Sequence, residues 1–363
     1  MIENIKLRNF TAFNKLDIPL SPKINIIIGE NGTGKTHLLK IAYALAWAAL
    51  TQQRFPNSNE QERIQKLTEK FIGIFKPLDD KLGKLYRDGA IREGDTEQAS
   101  MAISFSFDQN LAFTLYHNSR MLQIEKWKIN EPSAVNNWAE SEPVFIPTKE
   151  MLSFMLGFGG LFDKFQLSFD ELFRELYTLL ELPTLRTDKL PAKSKWAIQE
   201  IEKICGGSFI YYGGGKVTFK TATNEFSANV MAEGFRKIGI LARLLETGAI
   251  YPGSSGPLFW DEPETNFNPK LLKLLVEILL ELSRNGQQII LATHDYVLLK
   301  WFDLLMDKDT DDISFHALFR DENGNIKIDT VKDYRSITPN VIADTFNDLT
   351  KEQVNKNMGG LGK

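Results

Sequence analysis

The sequence predicts an α/β fold, a mixed sheet with helices on its faces, and three observations predict it. A run of mostly β-branched residues, Ile24-Asn25-Ile26-Ile27-Ile28, stops at Gly29 and leads through a glycine-punctuated loop into a helix-like segment. Two more apolar strands, residues 258–261 and 288–292, end in polar residues and alternate with helix-like segments. Between Lys35 and Gly234 lie about two hundred residues, the size of a whole domain, read as a large α+β insertion.

Taken in order, residues 2–20 alternate in a strand-like way through Ile5, Leu7, Phe10, Phe13, Leu16 and Ile18, with Pro19 and Pro22 as punctuation. Residues 24–28 are a continuous buried strand, and 37–51 form the helix behind the loop. That helix is too apolar for a surface position and too short to span a bilayer, so it is expected to be buried on several sides. Residues 52–60 are polar and mark a boundary. Residues 60–88 place Ile64, Leu67, Phe71, Ile74 and Phe75 at helical spacing. After a polar stretch at 88–100, residues 101–107, 111–117 and 121–129 read as antiparallel strands, with Asp108-Gln109-Asn110 as a turn. A short strand at 144–147 ends on proline. Segments 149–160, 169–182 and 192–205 are apolar or helical, and 209–212 with 216–220 form a hairpin around three glycines. The remainder reads helix (232–246), strand (258–261), helix (269–284), strand (288–292), helix (296–305), two strands and a helix from 339 to 349. The expected organisation is a discontinuous head, residues 1–51 and 206–350, an insertion at 52–205 and a flexible tail at 351–363.

The chain has 363 residues, 43% hydrophobic and 25% charged, enough to bury a large core. A net charge of −4 gives no global sign of nucleic-acid binding. The single cysteine, Cys205, excludes an internal disulfide framework and fits a reducing cytoplasmic setting. The N-terminus has no basic-then-apolar leader pattern, and no membrane association is expected.

The chemistry starts at Gly29, Glu30, Asn31, Gly32, Thr33, Gly34, Lys35 and Thr36, which fit G-x-x-x-x-G-K-[ST]. The glycines allow backbone angles that residues with a Cβ avoid, so successive N–H groups can curl around phosphate oxygens. Lys35 would reach the β- and γ-phosphates, and the Thr36 hydroxyl would ligate Mg²⁺. The helix that begins here, with His37 in its first turn, points its positive end at the anion. A glycine-rich turn with no ligand is the alternative, and the strand before and helix after weigh against it. A carboxylate partner for Mg²⁺ comes from Pro257-Leu258-Phe259-Trp260-Asp261-Glu262, an apolar strand ending in two acids. Asp261 would hold the metal, and Glu262 could polarise an attacking water. The strand 288–292 ends in Thr293-His294-Asp295, where His294 could hydrogen-bond a γ-phosphate. A lone histidine is more often structural.

In order, Gly-Glu-Asn-Gly-Thr-Gly-Lys-Thr, Phe-Trp-Asp-Glu-Pro-Glu and Ala-Thr-His-Asp resemble the P-loop heads of ABC-type ATPases. The resemblance is to the SMC, RecF and OLD-like branch, including AAA-annotated ATPases of bacterial anti-phage defence systems such as the Septu-like ones. It covers residues 1–50 and 205–305 well and the middle poorly. It implies ATP and Mg²⁺ as cofactors, Asp261 as the Walker B metal acid, Glu262 as catalytic base and His294 as the switch histidine, with Lys35 at the phosphates. Residues 265–268 fall at the D-loop. Ala232, Glu233 and Gly234 open the helix where the signature motif should lie, with Ala232 in place of an expected serine. Pro147-Thr148-Lys149-Glu150 resembles a Q-loop equivalent. Arg8, Asn9 and Phe13 sit where such heads contact the base or α-phosphate, with a strand edge and one core aromatic as the alternative.

The resemblance also implies an ATP-hydrolysing homodimer or higher homo-oligomer, a nucleotide-driven switch in phage defence or DNA maintenance with a protein effector, a nuclease or toxin. The alternative is an ATP-clamped scaffold or sensor that holds the effector with little turnover. A nuclease in its own right is disfavoured, since about seventy residues follow His294, few for a further domain. Arg186, Lys189, Lys193, Lys195 and Trp196 offer a DNA or RNA contact, with a solvated loop and helix start as the alternative. The apolar segments 151–162 and 169–182 offer a packing surface for a partner or a second copy.

Overall fold

A computed structural model describes residues 1–49, 58–87, 98–106, 108–117, 119–128, 142–165 and 167–358. Strands β1 (Ile2–Phe10) and β2 (Phe13–Pro19) form an antiparallel hairpin, followed by β3 (Ile24–Gly29) and α1 (Lys35–Ala49). Next come α2 (Glu60–Phe75), β4 (Gln98–Phe105), β5 (Gln109–Tyr116), β6 (Gln123–Lys128) and β7 (Val144–Ile146). Helices α3 (Phe158–Lys164), α4 (Glu171–Leu180) and α5 (Ala192–Cys205) precede β8 (Ser208–Tyr211), β9 (Val217–Lys220) and β10 (Glu225–Ser227). The C-terminal half continues with α6 (Glu233–Glu246), β11 (Leu258–Asp261), α7 (Pro269–Arg284), β12 (Ile289–Thr293) and α8 (Tyr296–Leu305). It ends with β13 (Ile313–Arg320), β14 (Ile326–Val331) and α9 (Val341–Met358).

The central sheet has the order β14-β13-β3-β12-β11-β7. Its pairings are parallel from β13 to β7, and β14 alone runs antiparallel, so the sheet is mixed as the sequence predicts. Parallel strands buried on both faces read as continuous apolar runs, and β3, β11 and β12 are buried along their whole length. A second, antiparallel sheet has the order β2-β1-β4-β5-β6. Helix α1 lies between the two sheets, and every residue in it except Thr36, His37 and Lys40 is buried. On the far face of the central sheet α5, α6, α7 and α8 complete a second core with Trp260 fully buried.

The strands expected inside the insertion do not form a separate lobe. β4 pairs with β1 from Ile2↔Phe105 to Arg8↔Ser100, so β4–β6 extend the first hairpin, and β7 is an edge of the central sheet beside β11. Period-two alternation reveals a strand but not its partner. The helix expected over 60–88 stops at Phe75, because Lys76 takes a left-handed cap (φ 46°) and Pro77 follows. The apolar segments assigned to a partner pack on this chain: Met151, Leu152, Met155, Phe158, Phe173, Leu176 and Leu180 are buried in the core, although Leu156, Leu161 and Phe165 are exposed. The tail expected to be flexible from 351 is helical to Met358, where α9 continues through a run of good helix formers and docks by stacking Phe346 on Tyr296 at 4.2 Å. Residues 359–363, and the stretches 51–57 and 88–97 within the expected boundary and polar segment, lie outside the described residues. Among the described residues no helix is long and apolar enough to cross a membrane.

Candidate nucleotide and metal site

The ends of β3, β11, β12 and β7 meet along one edge of the central sheet, and each delivers a chemical group there. At the end of β3 the loop turns into α1 through Gly32 (φ 77°) and Gly34 (φ 92°), as the glycine spacing predicts. Gly34 is doubly constrained, since a Cβ there would lie 2.8 Å from the ring of Phe13. Gly29 needs no unusual angle. Its lack of a side chain instead lets β3 pass the carbonyl of Leu318, 2.7 Å from where a Cβ would sit. Thr33 donates from its hydroxyl to the carbonyl of Glu30 at 2.8 Å, and Lys35 Nζ donates to the carbonyls of Gly29 (2.7 Å) and Glu30 (3.0 Å), closing the loop around the amine. Burial holds the Lys35 ammonium below its usual range, against the pull of nearby Glu262, Asp261, Glu264 and Glu30. Glu30, Asn31 and Gly32 are exposed at the loop tip, and His37 is exposed on the first turn of α1.

Asp261 is buried at the end of β11. Its Oδ2 accepts from Thr36 Oγ1 at 2.9 Å and from Thr148 Oγ1, just beyond β7, at 3.0 Å. Its Oδ1 is buried and has no hydrogen-bond partner among the described residues. Burial pushes the carboxyl above its usual range. A buried carboxylate oxygen left without a donor is costly, and a hard cation is the partner that oxygen chemistry prefers. Among the described residues no group of three His, Cys, Asp or Glu side chains could hold a metal alone. Asp261 and Thr36 therefore fit Mg²⁺ if phosphate oxygens complete its shell.

Glu262 follows in a left-handed conformation (φ 45°), a strain of about 1–2 kcal/mol for a residue with a Cβ. Three hydrogen bonds hold that backbone. Its N–H donates to Ala292 O at 2.9 Å, and its carbonyl accepts from Thr265 N at 3.2 Å and from Lys237 Nζ at 2.5 Å. The carboxylate is aimed by His294, whose Nδ1 lies 3.1 Å from Oε1, and by the Thr265 hydroxyl at 3.4 Å from Oε2. His294 thus sits beside the acid at the C-terminal end of β12, in the place the sequence predicts. Glu264 accepts from Thr293 Oγ1 (2.7 Å) and from the His294 N–H (3.2 Å), and burial raises its pKa. It braces the histidine turn.

Helix α6 opens at Ala232, which is exposed and supplies no side-chain cap. The first-turn N–H groups of Glu233 and Gly234 are left for other acceptors. Gly234 is needed for close approach, because a Cβ would sit 2.7 Å from the Asn266 carbonyl in the turn that follows Glu262. Arg236, two residues on, donates from Nε to the buried Glu150 at 2.8 Å, which joins α6 to the segment after β7. The Q-loop-like residues Thr148 and Glu150 therefore do reach the site. Phe13 is fully buried under the loop, the core aromatic of the two readings, while Arg8 is exposed on the outer sheet. Residues 186–196 do not form a purely basic face, since Lys193 pairs with Glu281 of α7.

The roles of three residues escaped the sequence reading, including Lys237, whose expected part was only to add charge at the start of α6, with a solvated helix face as the alternative. Glu264 braces His294, Lys237 holds Glu262, and Arg320 at the end of β13 donates to the Gly32 carbonyl at 2.8 Å. Only for Glu264 was there a signal, the second glutamate of Asp-Glu-Pro-Glu.

The fold is that of SMC head domains, and the sequence matches two ATPase-type family descriptions, each over part of the chain. Residues 1–151 match the family described as "AAA ATPase domain", and residues 159–300 match that described as "AAA domain, putative AbiEii toxin, Type IV TA system". The chain is similar to the DNA replication and repair protein RecF of Bacillus thuringiensis (strain Al Hakam) and of Bacillus anthracis (strain CDC 684 / NRRL 3495). Each is 39% identical over 64 residues, 18% of this chain and 16% of the RecF chain, so the match spans a small part of those relatives. Among solved structures, an SMC head bound to the C-winged helix domain of ScpA superposes with a TM-score of 0.55 at 14% identity, over 92% of this chain and 98% of that one. An Smc head domain with an extended coiled coil, bound to the C-terminal domain of ScpA derived from Pyrococcus furiosus, gives 0.50 at 12% identity, over 97% and 99%. At such identities the likeness is one of fold.

Proposed function

We propose that the chain binds and hydrolyses ATP as a homodimer in which each nucleotide lies between the phosphate loop of one protomer and the start of α6 of the other. The single observation that carries this reading is the cluster at the sheet edge: Thr36 and Thr148 on one oxygen of Asp261, the other oxygen buried and without a hydrogen bond among the described residues, and Glu262 aimed by His294. Loop N–H groups and Lys35 bind the phosphates. Mg²⁺, held by Thr36 and Asp261, would neutralise charge on the β- and γ-phosphates. Glu262 accepts a hydrogen bond from the attacking water and orients it, while His294 steadies the carboxylate and faces the γ-phosphate. The start of α6, exposed at Ala232, with no side-chain cap and a positive helix end, suits a phosphate brought by a second protomer. We infer that the resulting switch acts in the cytoplasm on a protein effector, a nuclease or toxin, in phage defence or DNA maintenance. The family description that names a putative AbiEii toxin supports the defence context.

The test is ATP turnover and mass by light scattering, with and without ATP and Mg²⁺. Turnover with ATP-dependent dimerisation is expected, and a monomer that hydrolyses ATP at full rate would overturn the composite site. One observation favours a second reading, an ATP-clamped scaffold with little turnover. Ala232 offers no hydroxyl where the signature serine is expected. A stable ATP-bound dimer with negligible phosphate release would select that reading.

A further inference from the structure

Beside the metal acid lies a cavity of about 370 Å³, within the roughly 300–1,000 Å³ of ordinary ligand pockets. Thr36, Thr148 and Asp261 form one wall of it, so it adjoins the place where a γ-phosphate would sit. We propose that this cavity is a phosphate site, in which Lys149 and Lys40 hold the inorganic phosphate cut from ATP before it leaves the protein. The inference rests on the ATPase reading above.

Three observations support it. First, two amines reach the cavity from different segments. Lys40 lies one turn after Thr36 on α1 and therefore shares its face. Its Nζ donates to Asp170 Oδ2 at 2.6 Å and to the Ile74 carbonyl at 3.3 Å, which leaves one of its three donors unused among the described residues. Lys149 is exposed and lines the cavity, and among the described residues no carboxylate pairs with it.

Second, the backbone that carries Lys149 is pinned on both sides. Thr148 donates to Asp261 Oδ2 at 3.0 Å, and Glu150 accepts from Arg236 Nε at 2.8 Å. A lysine on a fixed backbone loses less conformational freedom on meeting an anion than one on a free loop.

Third, the charges suit an anion once the site is loaded. Lys40 and Lys149 offset Asp170 and Asp261, so a divalent cation on Asp261 leaves the lining net positive. Phe145, Phe169 and Phe173 supply much of the remaining wall and offer a phosphate no hydrogen bond, so its ionic contacts fall to the amines, with the exposed Ser168 hydroxyl beside them. Next to such apolar walls the attraction is screened less than in open water. In the dimer proposed, ADP lies behind the cleaved phosphate and the partner's helix start lies in front of it. The cavity beside Asp261 takes the phosphate sideways, without the two protomers having to part.

The test uses the full chain with Mg²⁺ and a non-hydrolysable ATP analogue, which fills the γ-phosphate position. Inorganic phosphate, titrated by calorimetry, is expected to bind once per protomer with the analogue in place. Lys149→Met should weaken that binding about tenfold or more, the scale of a hydrogen bond to a charged group. Ser168→Glu, which adds a carboxylate to the exposed part of the lining, should weaken it as well. In a single turnover with ATP, cleavage should run ahead of the phosphate release seen by a fluorescent phosphate-binding reporter, and the gap should narrow in Lys149→Met. No phosphate binding beside the analogue overturns the proposal, and so does native binding in both variants. Phosphate binding from solution with no gap in the single turnover overturns the holding of product, because the site would then take free phosphate and not that of the reaction. An analogue that does not bind, or ATP that is not cleaved, overturns the ATPase reading and the proposal with it.

Discussion

Thr148 donates its hydroxyl to Oδ2 of Asp261 at 3.0 Å, across the seam between β7 and β11. Together with Thr36 on the same oxygen, it fixes the carboxylate plane and leaves Oδ1 for a cation. Thr148→Val removes a hydrogen bond to a charged acceptor, worth roughly 1.5–3 kcal/mol. We expect the Mg²⁺ concentration for half-maximal turnover to rise about tenfold while nucleotide binding without metal stays as it is. An unchanged Mg²⁺ titration would show that Thr36 alone orients the acid.

Glu262→Gln keeps the shape of the base and its neighbours but cannot accept a proton. Turnover should fall by about 10²–10⁴-fold, and an ATP-bound dimer should persist on size-exclusion chromatography. Native phosphate release from this variant would remove Glu262 from the mechanism.

Arg236 and Glu150 form an ion pair that is almost wholly buried. Removing one partner leaves a buried charge, so Arg236→Met should cost about 3–5 kcal/mol of stability. Glu150→Gln on top of it should return a good part, because the orphaned charge disappears. Denaturant melts of both variants decide the matter, and equal losses in the two would argue that packing matters more than charge.

His316 is buried between Asn25 Oδ1 (3.2 Å) and Thr330 Oγ1 (3.0 Å), and burial drops its pKa to about 3. The folded protein keeps this ring neutral at a pH where an unfolded chain, with an ordinary pKa near 6.5, takes up a proton. Stability from this group is therefore complete above that pH and is lost as pH falls towards 3. By pH 5 the loss should be roughly 2 kcal/mol. His316→Gln should flatten this part of the acid limb of stability, measured by urea unfolding from pH 7 to 5.

The phosphate loop and the acids after β11 were legible in the sequence because each is a contiguous segment whose spacing carries its chemistry. His294 was legible by its place at the end of an apolar strand. The partners that aim these groups were not. Lys237 meets Glu262, Arg236 meets Glu150 and Arg320 meets Gly32 only after distant strands are set side by side. Nothing in the local pattern of a basic residue on a helix distinguishes a solvated face from such a role. The joining of β4–β6 to β1 was hidden for the same reason, and so was the burial of Phe13 beneath Gly34.

The central strand β3 has as its two neighbours β12, which begins at residue 289, and β13, which begins at residue 313. A ribosome making about 5–20 residues per second completes the phosphate loop early and its flanking strands many seconds later. Through that interval β3 has two open edges, and nothing yet holds Asp261 or Leu318 against the loop. The strand that leads into the loop is therefore flanked on both sides only after β13, which begins at residue 313, has been made. A nascent chain halted before residue 289 would carry the whole phosphate-binding motif and still have no site.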